Sequence, residues 1–270
     1  IALMKDQVDA LKRRGIDAVY INSSLGREKR EARYVALRNG SYRIIYVTPE
    51  RFRKTDFTEA LSGRHISLLA VDEAHCISEW GHDFRPDYTR IREFRQILGN
   101  PVTIALTATA TPEVQKDIIK TLCLDAGEVK MFHGGIDRPN LHLQVEKVFS
   151  NDEKLEHIIS VVNKYDGNGI VYFTLIKQLN NFSDMLNEHG ISHLCYHGGL
   201  ERVQRSKVQE QFMMGKKTLV LATNAFGMGI DKENIRFVAH ADIPGSIESY
   251  YQEIGRAGRD GKDSLCTLLY

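Results

Sequence analysis

Residues 68–73 read LLAVDE, an apolar, strand-like run that ends in two adjacent carboxylates, Asp72 and Glu73. An Asp at such a strand end can hold Mg2+ beside the phosphates of a nucleotide, directly or through water. The neighbouring Glu can orient and deprotonate an attacking water. The pair is therefore a candidate for metal-assisted phosphoryl hydrolysis, with Asp72 and Glu73 as the metal ligands. Acids at strand ends also cap the helix that follows, so the pair alone leaves both readings open. His75, two residues beyond Glu73, is placed in sequence to relay between a nucleotide and whatever lies beneath it. Cys76 reads as a small buried residue.

Directly behind the carboxylates comes EWGHDFRPDY (79–88), too rich in rings and charge for a simple linker. Trp80 and Phe84 could stack on unpaired bases, an interaction worth roughly 1–3 kcal/mol per base. Arg85 could pair with a phosphate, and Gly81 lets the backbone turn. The competing reading of Trp80, the single Trp of the chain, is a core anchor. A third constellation, GRAGRDG (255–261), sets Arg256 and Arg259 among glycines. Arginine keeps its charge and grips phosphate oxygens with a planar fork; the alternative is a basic loop packed on its own acids, Glu253 and Asp260.

The elements that must position these residues alternate. Strand-like runs are AVYI (18–21), RIIYV (43–47), SLLAVD (67–72), VTIAL (102–106), GIVYF (169–173), HLCY (193–196), TLVLAT (218–223), RFVAH (236–240) and LCTLLY (265–270). Helical patterns lie between them, such as 113–122 and 201–213. This order predicts an α/β fold of parallel sheets with helices on both faces, and the apolar strands predict sheets buried on both sides. DRPNL (137–141) interrupts the pattern with Pro139 and polar residues, dividing the chain into domains 1–140 and 141–270. In such sheets functional loops stand at the carboxyl ends of strands. Thr48-Pro49-Glu50, Asp72-Glu73, Thr107-Ala108-Thr109, His197-Gly198-Gly199 and Thr223 all fall there, as a cleft between two domains would require.

Composition narrows the class. A net charge of +1 provides no global basic field; positive charge is clustered instead, at Lys12–Arg14, Arg27–Arg33 and Arg51–Lys54, and such runs read first as solvated helix faces. Four cysteines stand far apart with no CxxC, and the histidines show no HExxH, so no zinc site and an intracellular, reducing compartment are expected. No apolar run approaches the ~18 residues of a membrane span, no signal peptide opens the chain, and no membrane association is expected. The chain opens within an apolar helical pattern at Ile1, which predicts a piece or processed product of a longer protein.

VDEAHCISEWGHDFRPDY (71–88) closely resembles the DEAH motif and aromatic-rich loop of RecQ-type DNA helicases. LMKDQV (3–8) is similar to their motif Ia, YVTPER (46–51) to Ib, LTATAT (106–111) to III, YHGGL (196–200) to their HAGL-type segment, ATNAFGMGID (222–231) to V and QEIGRAGRDG (252–261) to VI. The motifs run in family order along nearly the whole chain. The resemblance implies two RecA-like domains flanking a nucleotide cleft, the first truncated at its N-terminus. It implies ATP and Mg2+ as cofactors, with Asp72, Glu73, His75, Arg256 and Arg259 as catalytic residues. Gly229, Asp231, Gln252 and both arginines would contact nucleotide, with Arg259 as the first choice of arginine finger. Lys5, Gln7, Thr48, Pro49, Trp80, Phe84, Arg85, His197 and Thr223 would contact DNA, and Arg138 and Asn140 would stand at the hinge. The implied partners are single-stranded and partly duplex DNA, for a monomer stepping 3′ to 5′ in cytoplasm or nucleoid if bacterial, or in the nucleus if eukaryotic.

Two departures stand out. Family members usually carry a Ser-Arg-like pair after the strand GIVYF; here Leu175 and Ile176 occupy those places, with Lys177 as a possible substitute. The sequence also contains no GxxxxGK[ST] loop, whose N–H groups would cradle phosphates. That loop is expected upstream of Ile1 or nowhere, so the chain alone is expected to be inactive. A non-enzymatic single-stranded DNA-binding remnant and an RNA helicase are the rival readings.

Overall fold

A computed structural model describes residues 2–81, 83–135, 137–227 and 230–270. The chain divides into two compact units, Ile1–His133 and Gly134–Tyr270, a few residues ahead of the DRPNL break.

In the first unit α1 (Ala2–Arg13), β1 (Ala18–Ile21), α2 (Arg27–Arg38), β2 (Ile44–Val47) and α3 (Thr55–Leu61) precede β3 (Leu68–Val71). They are followed by α4 (Pro86–Thr89), α5 (Ile91–Ile97), β4 (Val102–Ala105) and α6 (Pro112–Thr121). Single 3-10 turns span Pro49–Arg53 and Ala74–Ile77. The strands form two separate parallel pairs, β1 with β2 and β3 with β4. Tyr34, Leu37, Phe57, Ala60, Leu61 and Phe94 close one core on Ile21, and Val71, Ile77, Ile91, Val114, Ile118 and Leu122 close the other. Helix α6 shows why its residues choose a helix. Thr111 caps it by accepting the Val114 N–H, Pro112 supplies the preset φ of the first turn, and Val114 and Ile118 bury one face.

This unit corrects one expectation. Strand β1 is largely buried, but β3 and β4 are not covered on both sides: Leu68, Val102 (71% exposed), Ile104 and the adjoining Leu106 face solvent. Among the described residues, no strand joins the two pairs into one sheet, so β3 and β4 lack cover that a continuous sheet with helices on both faces would supply.

The second unit contains β5 (Leu141–Glu146), α7 (Asn151–Lys164), β6 (Asn168–Tyr172), α8 (Ile176–Glu188), β7 (His193–Tyr196) and α9 (Arg202–Met214). It ends with β8 (Leu219–Ala222), β9 (Ile235–His240), α10 (Ile247–Ile254) and β10 (Ser264–Leu269). All six strands are parallel, in the order β5-β10-β9-β6-β8-β7. Here the expectation of buried strands holds: every residue of β6 and β8 is buried. Leu155, Ile158, Val161, Leu179, Phe182 and Leu186 seal one face of the sheet, and Phe212, Phe226 and Ile254 seal the other. Strand β5 has no counterpart among the expected strands. Its sequence, LHLQVE, alternates apolar and polar residues, and it pairs on one side only, with β10.

Candidate active site

In the first unit β3 delivers the carboxylates at its carboxyl end. Leu106 donates to Val71 O at 2.8 Å and Ala74 to Leu106 O at 2.9 Å, which ties the turn after β3 to the end of β4. Within that turn Glu73 has φ 49° and ψ 45°, the left-handed region that costs a side-chain-bearing residue about 1–3 kcal/mol. The strain is held by its neighbours: Cys76 N–H donates to Glu73 O at 2.9 Å, and Glu73 N–H donates to Asp72 Oδ1 at 2.9 Å. Asp72 therefore braces the turn but caps no helix, and its side chain remains exposed. Asp72 and Glu73 present hard carboxylate oxygens on adjacent residues, a donor set that fits Mg2+.

His75 is buried (2% exposed), and its Nδ1 lies 3.5 Å from Glu73 Oε2 and 3.0 Å from Thr107 Oγ1. Thr107 Oγ1 in turn accepts the Thr109 N–H at 3.3 Å. The histidine thus bridges the DEAH turn and the segment after β4. Thr107 is given no role of its own by the sequence, although it lies at a strand end and within LTATAT (106–111), the segment similar to motif III.

The aromatic loop is fixed from beneath. Ser78 Oγ donates to Asp117 Oδ2 of α6 at 2.7 Å, Arg85 N–H donates to Cys76 O at 3.0 Å, and Gly81 N–H donates to Ser78 O at 3.0 Å. A Cβ on Gly81 would stand 2.5 Å from His75 O, so only glycine fits. On this base Trp80 is 82% exposed, which removes the core-anchor reading. Phe84 and Arg85 are half-buried, and Arg85 is paired with Asp83.

His75, Cys76 and Asp83 bring three ligand atoms within 4.8 Å of one another. The Arg85 guanidinium already neutralises Asp83, and burial pushes the Cys76 thiol up to about 12. A cation would have to displace both a guanidinium and a firmly held proton, so these residues make a structural cluster.

The remaining first-unit residues are placed but not joined to this constellation. Lys5 and Gln7 are exposed on α1, and Thr48 and Pro49 are half-buried at the carboxyl end of β2. The basic clusters are partly consumed by structure: Arg30 and Arg33 donate to Leu25 O and Tyr20 O, and Arg53 pairs with Asp87.

In the second unit α10 leads into the arginine loop. Arg259 Nη1 donates to Asp231 Oδ1 at 2.6 Å. Arg256 Nη1 donates to Gly227 O, and a Cβ on Gly227 would stand 2.6 Å from the Arg256 guanidinium. The two arginines therefore differ, since Arg256 is packed on backbone whereas Arg259 meets an exposed carboxylate. The acids offered by the sequence as partners are engaged elsewhere, Glu253 with buried His240 at 2.8 Å and Asp260 with Arg236 at 2.6 Å. Gln252 is half-buried on α10, Thr223 is buried after β8, and His197 is half-buried after β7. Gly229 lies outside the described residues.

After β6, Thr174 donates through N and Oγ1 to Asp242 Oδ2 at 3.0 and 3.1 Å, and Lys154 stands 3.6 Å from Asp242 Oδ1. Leu175, Ile176 and Lys177 are exposed beside this network.

Two helicase family models match the chain. The family model described as "DEAD/DEAH box helicase" matches residues 1–118, and "Helicase conserved C-terminal domain" matches 152–261. The ATP-dependent DNA helicase RecQ of Bacillus subtilis is 46% identical over all of this chain, which covers 45% of that relative. RecQ of Pasteurella multocida is 42% identical over the whole chain and 42% of its own length, and ATP-dependent DNA helicase Q1 of Mus musculus is 39% identical over the whole chain and 43% of its own length. The chain thus spans less than half the length of these relatives.

Among solved structures, S. cerevisiae Dbp5 bound to RNA and ADP BeF3 superposes with a TM-score of 0.71 at 18% identity, over 100% of this chain and 68% of that one. Mycobacterium smegmatis helicase Lhr bound to ssDNA and AMP-PNP gives 0.67 at 19% identity, over 98% and 37%. These likenesses carry the fold, that of RecA-like helicase domains. Two helicase models in series, and RecQ-type helicases at 39–46% identity along its entire length, support the reading of the chain as a stretch of a RecQ-family DEAD/DEAH-box helicase.

Proposed function

We propose that this chain forms the motor core of an ATP-dependent DNA helicase, coupling ATP hydrolysis to movement along single-stranded DNA in the 3′ to 5′ direction and to duplex unwinding. The observation that carries the proposal is the Glu73–His75–Thr107 bridge beneath an exposed Trp80. Asp72 and Glu73 would hold Mg2+, which would supply positive charge to offset that of the phosphates. Glu73 orients the attacking water and takes its proton. His75 passes any displacement at Glu73 to Thr107 and, through Cys76 and Gly81, to the aromatic loop. Trp80 and Phe84 stack on bases and Arg85 exchanges Asp83 for a phosphate. Arg259, with Arg256, stabilises the charge on the transferring phosphoryl group. Asp231, Gln252 and Gly229 complete the nucleotide contacts, and Lys5, Gln7, Thr48, Pro49, His197 and Thr223 the strand contacts.

The chain supplies carboxylates and arginines but no GxxxxGK[ST] sequence, so hydrolysis by this stretch alone is expected to be absent. The test is ATP hydrolysis with and without single-stranded DNA, on this stretch and on the protein as its gene encodes it. DNA-stimulated hydrolysis by the encoded protein supports the motor. Strand binding without hydrolysis in either form would instead make the carboxylates relics of a binding module. RNA competing as well as DNA for the stimulatory site would overturn the DNA assignment; because phosphate contacts weaken steeply with salt, both arms need one ionic strength.

A further inference from the structure

The arginine loop is held by side chains from outside it as well as by turns of its own, such as Gly261 N–H to Gly258 O at 3.0 Å. Arg138 Nη2 donates to Ala257 O and to Gly258 O, each at 3.0 Å. Asn140 Nδ2 donates to Gly258 O and to Lys262 O, each at 2.9 Å. The chain then closes the knot: Ser264 N–H donates to Asn140 O at 2.9 Å, and Gly258 N–H donates to Ile235 O at 2.9 Å. Gly258 has φ +55°, and a Cβ there would fall 2.4 Å from Asn140 Nδ2 and 2.7 Å from Lys262 O. The Asn140 amide therefore occupies the space that the missing side chain leaves. The clasped carbonyls of Ala257, Gly258 and Lys262 bracket Arg259, and the first two form the connection between Arg256 and Arg259. Arg138 lies a few residues past the division between the two compact units.

We infer that Arg138 and Asn140 are positioning residues for the arginine loop: they fasten the segment joining the two units to the peptide groups that aim Arg256 and Arg259. This rests on the role given to Arg259 above. Both hydrogen bonds leave the single nitrogen Nη2, whose two N–H groups reach successive carbonyls, so a lysine ammonium, also a multiple donor, can replace part of that grip. The clasp fixes where the arginine stands without touching nucleotide, so its loss should lower turnover and leave nucleotide affinity nearly intact. A misplacement of about 1 Å can cost on the order of 10²-fold in rate.

The test uses the protein as its gene encodes it. In Arg138→Ala, kcat for DNA-stimulated ATP hydrolysis should fall about tenfold or more while KM for ATP stays within about twofold. Arg138→Lys should restore part of the loss, and Asn140→Asp, of equal size but without the amide donor, should reproduce it. Hydrogen exchange at residues 258–264 should quicken in Arg138→Ala while β6 and β8 stay protected. In an Arg259→Ala background, Arg138→Ala should remove little further activity. Unchanged exchange at 258–264, or losses that multiply with Arg259→Ala, would overturn the inference. If Arg259→Ala by itself keeps full hydrolysis, the arginine assignment falls, and the exchange measurement alone decides the clasp.

Discussion

Arg259 Nη1 lies 2.6 Å from Asp231 Oδ1, and both side chains are open to solvent, Asp231 at 67%. An exposed ion pair of this kind contributes only about 0–1 kcal/mol. Breaking this pair to free the arginine for a phosphate, as the proposed function requires, therefore costs little. Arg259→Ala should lower ATP hydrolysis about 10³-fold in the encoded protein, with a much smaller change in nucleotide binding. Arg259→Lys should recover little, because a point charge lacks the fork. Steady-state kinetics with a fluorescent-nucleotide titration checks both.

Glu73, the proposed proton acceptor, stands on a strained backbone at φ 49°. Glu73→Gln should cut hydrolysis by about 10²–10⁴-fold while nucleotide binding and thermal stability stay near the parent values. Glu73→Gly should be equally inactive but more heat-stable, because glycine adopts φ 49° without penalty. A melt showing Glu73→Gly no more stable than Glu73→Gln would mean that the turn stores no strain.

The exposure of Trp80 lets its proposed DNA coupling be tested apart from folding. Its exposure places Trp80→Ala within about ±0.5 kcal/mol of parental stability, yet DNA stimulation of the ATPase should be lost. Gly81→Ala should also lose stimulation, with a lower melting temperature, since its Cβ meets His75 O at 2.5 Å. Retained stimulation in Trp80→Ala would remove the ring from the coupling pathway.

Burial pushes Cys76, Cys266 and Tyr172 up to about 12. Each holds its proton more tightly folded than unfolded, so each contributes stability that is whole below the unfolded value. That stability declines as pH rises from about 9 toward 12, where the unfolded chain binds fewer protons. Melting temperature should therefore fall steadily over that window. At pH 8 a thiol reagent should modify exposed Cys123 well before Cys76 or Cys266. A flat alkaline profile, or early labelling of Cys76, would contradict the burial of these groups.

Much of this architecture was legible because apolar runs such as Leu219–Ala222 announce buried strands, and because the residues at their ends are chemically conspicuous. Strand β5 escaped because LHLQVE alternates and lies at an edge with little to bury. The exposure of Val102 and Ile104 escaped for the opposite reason: an apolar strand looks the same in sequence whether or not its cover is present. The site was readable as residue types, not as partnerships. Ser78 finds Asp117 at a separation of 39 residues, His75 finds Thr107 at 32, and Arg138 finds Gly258 at 120. No local pattern encodes such pairings, and nothing in one Trp among charges decides whether its ring faces core or water.

Helix α6 begins just after the Thr107–Thr109 segment and grips the aromatic loop through Asp117. Its ten residues make a stiff rod about 15 Å long. One end is planted where His75 reports on Glu73, and its flank carries the support of Trp80. The segment after β4 and the support of the aromatic loop are thus joined through one stiff body, because the Thr111 cap and Asp117 belong to the same helix. The spacing between Thr111 and Asp117, six residues or about 9 Å along the axis, is then fixed by helix geometry and not by side-chain packing.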